Sequence, residues 1–163
     1  MTRLTCLVAA VALVSTGCYQ GADPDITDTG KGRPDVTATA PETAEPGATV
    51  EAVLTVSNPG PGDMTSIVVA FSRIGDPSLP TPIVEVGRGG SSEGIAGVTP
   101  EPDVISEDGV RFRFGGLAEG ESLDITFELV MPKLTGDVGN AITVYDGNEP
   151  ERARGVRLAI SLS

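Results

Sequence analysis

The side chains that could do chemistry in this chain are few and poorly assorted. Histidine is absent, which removes the commonest general base at neutral pH and the commonest metal ligand. Hydroxyls gather at Ser91-Ser92 within Gly89–Gly94. No histidine is available to activate them, and the Gly-x-Ser-x-Gly elbow of a hydrolase is missing. Nor can that loop cradle a phosphate, because no helix pattern and no lysine follow it. Acids pair as Asp146/Glu149 and Asp103/Glu107. Two carboxylates can share a glycoside hydrolysis, but tryptophan is absent and Tyr145 is alone nearby. Both pairs are therefore expected to be solvated loop acids. Asp23, Asp25 and Asp28 crowd like a calcium loop. The positions where an EF-hand needs glycine and glutamate hold Asp28 and Pro34 instead. Lys133 could be imagined in an amide cross-link with Asn140 or Asn148, but it follows a proline at a strand end and is expected to be solvated. These residues assign no catalytic, cofactor-binding or metal-binding site, and a non-enzyme is expected.

The charge balance narrows the partners. Net charge is −12, with 23 acids against 11 bases. Such a surface repels nucleic acid and anionic headgroups, so no nucleic-acid partner is expected. The two cysteines, Cys6 and Cys18, both precede residue 30 and cannot staple a domain that starts beyond it.

Those cysteines lie in a segment that reads as an address. Arg3 supplies a positive start, and Leu4–Val14 is apolar apart from Thr5. This run is too short to span a bilayer, which takes ~20 residues. Small residues, Ser15-Thr16-Gly17, then lead to Cys18. Val14-Ser15-Thr16-Gly17-Cys18 resembles the lipobox of bacterial lipoproteins, with Ser15 and Thr16 standing where that family prefers leucine and then alanine or serine. The resemblance implies that residues 1–17 are a signal peptide and that Cys18 is diacylated and becomes the first mature residue. It also implies export and a lipid anchor in the cell membrane or outer membrane. Residues 18–33 follow as a polar, acidic spacer with too little apolar surface to order itself.

From Pro34 to Ser163 short apolar runs alternate with turn signals. Strands are predicted at Val36–Ala40, Thr49–Ser57, Thr65–Arg73, Gly139–Tyr145 and Ala153–Leu162, with a short edge strand at Ile83–Val86. Segments near Ile95–Val98 and Val104–Ile105 are expected to pair briefly. No helical periodicity follows Cys18. The pattern predicts one all-β domain, an immunoglobulin-like antiparallel sandwich of about seven strands.

Val56-Ser57-Asn58-Pro59-Gly60-Pro61-Gly62-Asp63, running into the strand Ile67-Val68-Val69, resembles the bacterial surface repeat called domain of unknown function eleven. Leu117-Ala118-Glu119-Gly120-Glu121-Ser122 is similar to that family's Leu-x-x-Gly-Glu-Ser turn, and Gly139-Asn140-Ala141 falls where it has an asparagine before a strand. The resemblance spans residues 34–162 and implies an exported sandwich, here in a single copy.

Gly109–Pro132 is predicted to be the core hairpin. Val110, Phe112 and Phe114 alternate with Arg111 and Arg113; Leu123, Ile125, Phe127 and Leu129 alternate with Asp124, Thr126 and Glu128. A turn near Ala118-Glu119 would set Arg113 opposite Asp124 and Arg111 opposite Thr126, with Glu128 diagonal, as a surface ion ladder; the other reading of Arg111 and Arg113 is a patch that docks an acidic partner such as teichoic acid. The functional expectation is a tethered, non-catalytic envelope module that engages the membrane through lipid on Cys18 and a protein or cell-wall partner through its sandwich. The alternative is a small ligand-binding or accessory enzyme lipoprotein that uses the 88–108 loops.

Overall fold

The computed structural model describes residues 32–74, 81–85 and 93–163. The signal segment, Cys18, nearly all of the spacer, and Ser91-Ser92 lie outside the described residues. The ten strands are β1 (Asp35–Thr39), β2 (Thr43–Ala44), β3 (Thr49–Ser57), β4 (Ile67–Ser72), β5 (Ile95–Thr99), β6 (Val104–Ile105), β7 (Arg111–Phe114), β8 (Ser122–Val130), β9 (Gly136–Asp146) and β10 (Glu149–Leu162). They form a sandwich of two sheets, ordered β1-β3-β8-β5 and β2-β10-β9-β4-β7-β6. The described residues are all-β, as their period-two patterning requires.

One long strand of the first sheet is bounded as its sequence reads: β3 starts after the Pro46-Gly47 turn and stops at the Asn58-Pro59 loop. Pro41 ends β1, and the chain then changes sheets, with β2 lying parallel to the end of β10. Since β1 also lies against β10, that side of the sandwich is closed. The other side, between β5 and β6, is open.

The expected hairpin does not form. β7 pairs with β4 and β6 in the six-stranded sheet, whereas β8 pairs with β3 and β5 in the other. The ladder of Arg111 and Arg113 against Asp124, Thr126 and Glu128 is therefore overturned. The cause lies in Gly115–Glu121, too long for a tight turn and carrying an apolar residue at its centre. Leu117 is buried and exchanges backbone hydrogen bonds with Met64 at 2.9 and 3.1 Å. This pins the link across the end of the sandwich instead of letting it fold back in plane. Gly116 passes so close that a Cβ there would sit 2.7 Å from the Met64 carbonyl oxygen.

The facing of these residues does hold. Val110, Phe112, Phe114, Ile125, Phe127 and Leu129 are all buried, and Arg111 and Arg113 point outward. Phe112 meets Phe127 across the core, with centroids 5.5 Å apart, and Phe71 lies 5.0 Å from Phe127, both edge-on. Edge-to-face contact suits the ring quadrupoles and adds to the area buried.

Of the edge strand expected at Ile83–Val86, the described residues Ile83–Glu85 form no strand. Ile83 and Val84 are buried, but their N–H groups go to a side chain and not to a ladder.

The outer face of the four-stranded sheet carries Asp35, Glu51, Asp124 and Glu128 among threonines and serines. Glu51 stands directly opposite Glu128, and like charges so placed repel. Glu128→Lys is expected to raise stability by about 0.5 kcal/mol, read as a higher urea midpoint with an unchanged slope.

Candidate functional site

Three buried polar side chains sit where chemistry would need them, and each is occupied by the fold. Asn140 on β9 is fully buried. Its Oδ1 accepts from the N–H groups of Ile83 (3.0 Å) and Val84 (2.9 Å), and its Nδ2 donates to the carbonyls of Ser72 (3.2 Å) and Val84 (3.0 Å). All four hydrogen-bonding positions of the amide are used. A cross-link to the exposed Lys133 would have to dismantle them.

Asn58 does the same for two turns. Its Nδ2 donates to the carbonyls of Gly62 and Leu117, both at 2.9 Å, and its Oδ1 accepts from the Gly60 N–H at 3.0 Å. Its backbone accepts from Gly120 N–H at 2.7 Å and donates to the Glu121 carbonyl at 3.0 Å. Glu119 adds a bond from the Gly62 N–H, and Asp63 one from the Glu119 N–H. The Asn58–Asp63 and Leu117–Ser122 turns are thus bolted to one another at one end of the sandwich. Gly60 and Gly62 hold φ of 85° and 80°, which side chains with a Cβ rarely adopt.

The third is Asp146, and here the expectation of solvated acids fails. Asp146 and Glu149 are 1% and 8% exposed. Asp146 accepts from the Thr65 N–H (3.1 Å), the Thr65 hydroxyl (2.6 Å) and the Asn148 N–H (3.2 Å). The β9–β10 turn is thereby tied to the start of β4. The missing signal was Thr65, distant in sequence, whose backbone and hydroxyl take the carboxylate in. Asp103 and Glu107 are exposed, as expected.

Among the described residues no three of His, Cys, Asp or Glu converge, and no helix is long and apolar enough to cross a membrane. Asp108 is held below the usual carboxylate range, chiefly by the hydrogen bond from the Ser106 hydroxyl, with the Val110 N–H and the Arg111 guanidinium assisting. Both side chains of its pair with Arg111 (3.5 Å) are exposed.

Among the described residues several concavities are open to solvent, and three of them bear on function. A groove of about 450 Å³ runs along the open side between β5 and β6, lined by Ile95, Val98, Glu101, Pro102, Ile105 and Phe112 among others. A hollow of about 330 Å³ lies beside β10, with Glu42, Asp137 and Arg157. A smaller one, about 200 Å³, lies on the outer face of the six-stranded sheet between Val68, Val104, Ser106, Arg111, Arg113 and Tyr145.

Charge is distributed unevenly over this molecule. Asp23, Asp25 and Asp28 balance Arg3, Lys31 and Arg33 in the first 33 residues, so the whole −12 falls on residues 34–163. The four-stranded sheet faces outward with acids, whereas the six-stranded sheet presents Arg111, Arg113 and Arg157, with Asp137 at its far end.

No family model matches the chain, and no curated protein matches it. Solved structures do. The CARDB domain of a Pyrococcus furiosus protein, crystallised in complex with di-metal ions, is 13% identical with a TM-score of 0.45, over 85% of this chain and 96% of that one. The bacterial hydrophobin BslA is 10% identical with a TM-score of 0.46, over 78% and 98%. A conjugative transposon lipoprotein from Bacteroides eggerthii is 15% identical with a TM-score of 0.41, over 77% and 93%.

Proposed function

We propose that this protein is a lipid-anchored, non-catalytic module of a bacterial envelope, a single immunoglobulin-like sandwich held outside the cytoplasm on a short tether. The observation that carries the reading is the pentapeptide Val14–Cys18 directly after a short apolar run behind Arg3. Two acyl chains on one cysteine suffice for stable anchoring. The residues that follow Cys18, up to the start of the sandwich, supply the tether. The similarity of the 58–63 and 117–122 turns to an exported surface repeat supports the same address. The use of Asn58, Asn140 and Asp146 to fasten turns and crossings suits a structural rather than catalytic role for these buried polar groups.

Growth with a radioactive fatty acid tests the anchor. Wild-type protein should take up label and sediment with membranes, and Cys18→Ser should do neither. An unlabelled wild type would sink the tether.

One observation favours a second reading. The groove between β5 and β6 is apolar, and Ile105 at its rim is 55% exposed, which suits a small apolar ligand taken up by the 88–108 region. Under that reading Ile105→Glu abolishes ligand uptake without altering membrane association.

A further inference from the structure

The failure of the expected ion ladder changes what the arginines of β7 are free to do. Arg113 has Val68 of β4 on one side and Val104 of β6 on the other. Beyond Val68 in the same row stands Tyr145 of β9. The row therefore reads Val104, Arg113, Val68, Tyr145, straight across four adjacent strands. With strands about 4.8 Å apart, Arg113 and Tyr145 stand about 10 Å from one another. Arg111 is one pleat along the same strand and projects from the same face, about 7 Å from Arg113.

Among the described residues Arg113 has no ion-pair partner, and Asp124 and Glu128 lie on the other sheet. Asp103 and Glu107, on the segments flanking β6, make no ion pair with it. Arg111 touches Asp108 at 3.5 Å, with both side chains exposed; such a pair is weak enough to exchange for a better acceptor. The result is a hollow of about 200 Å³ that is cationic at Arg111 and Arg113 on a strongly acidic domain. Its floor and far wall are apolar, made by Val68, Val104 and the Tyr145 ring, and Ser106 adds a hydroxyl.

We propose that this hollow is a binding site for an acidic polysaccharide whose sugar rings carry carboxylates. A guanidinium fork matches a carboxylate in two parallel hydrogen bonds. The valines and the tyrosine ring receive the apolar face of a pyranose, and the tyrosine hydroxyl suits its own hydroxyls. A polyol-phosphate chain would satisfy the arginines but offers no ring to the apolar wall, so the carboxylated sugar is favoured. The acidic remainder of the sandwich repels polyanions generally, which confines contact to this face. The proposal deepens the envelope-module reading and rests on it for its biological setting. Binding in solution does not require lipid, so the two can fail separately.

Titration calorimetry on the full chain in detergent tests it, with the tetramer of galacturonic acid as probe. The tetramer should bind. Arg113→Gln and Tyr145→Ala should each weaken binding at least about tenfold, while Arg73→Gln, whose arginine pairs with Glu85 elsewhere, should leave it unchanged. All these side chains are at least partly exposed, and unchanged melting temperatures will show that the variants fold. The methyl-esterified tetramer should bind at least about tenfold more weakly than the acid.

Four outcomes would overturn the site: no binding of the tetramer, equal binding of its ester, indifference to Arg113→Gln, or equal binding of a glycerol-phosphate tetramer with indifference to Tyr145→Ala. Light scattering that finds a dimer dissolved by Arg113→Gln would assign the face to a second copy of the chain instead.

Discussion

Replacing Asn140 by alanine is expected to destabilise the fold by about 3–4 kcal/mol, because it strands several buried backbone groups at once. The N–H groups of Ile83 and Val84 lose their acceptor, and the carbonyls of Ser72 and Val84 lose a donor. Each buried group left without a partner costs about 1–3 kcal/mol. The sum is held down because Ser72 is exposed and its carbonyl can find water. The alanine also fails to fill the amide's volume beneath 81–85. Equilibrium urea denaturation reads the loss, and Thr39→Ala on the exposed edge of β1 should stay within about 0.5 kcal/mol of wild type. A loss at Asn140 no larger than at Thr39 would mean that the 81–85 crossing is not held by this amide.

Phe127→Ala should cost about 4 kcal/mol. The ring is 1% exposed and meets Phe71 and Phe112 edge-on, so truncation opens a cavity at the contact between the two sheets. Phe127 lies on β8 between β3 and β5, and its ring packs on β4 and β7 of the other sheet, so hydrogen-bonded strands of both sheets bound the void and resist its collapse. Phe127→Leu, which keeps most of the volume, should cost less than half as much. Thermal unfolding of the two variants makes the comparison. Equal losses would show that ring volume at the sheet interface is not what holds the layers together.

What could be read from the chain was facing, and what could not was partnership. Alternation places Val110, Phe112, Phe114, Ile125 and Phe127 inward whichever strands they pair with, because pleat geometry alone sets the side a residue takes. Pairing depends on the path between strands. The Gly115–Glu121 link has hairpin composition, and only Leu117 betrays that the chain crosses to the other sheet. Its partner, Met64, is distant in sequence, so nothing local reveals the bridge. Asn58 and Asn140 could be noticed as turn signatures, but their burial follows from segments brought together by the whole fold. The same holds for Asp146, whose acceptor role needs Thr65. The arginine hollow was misread for a related cause: the charges closest in sequence, on β8, belong to the opposite face of the sandwich. Val68, Val104 and Tyr145 come from three other strands, and no spacing rule along the chain joins them to Arg113.

The most direct test of the central claim, a sandwich displayed on a lipidated tether, is the intact mass of the mature protein extracted from membranes with detergent. The expected mass is that of a chain beginning at Cys18 and carrying a diacylglyceryl group, with or without a further acyl chain on the new amino terminus, and Cys18→Ser should abolish the species. A mature chain beginning at another residue, or one beginning at Cys18 without lipid, would contradict it.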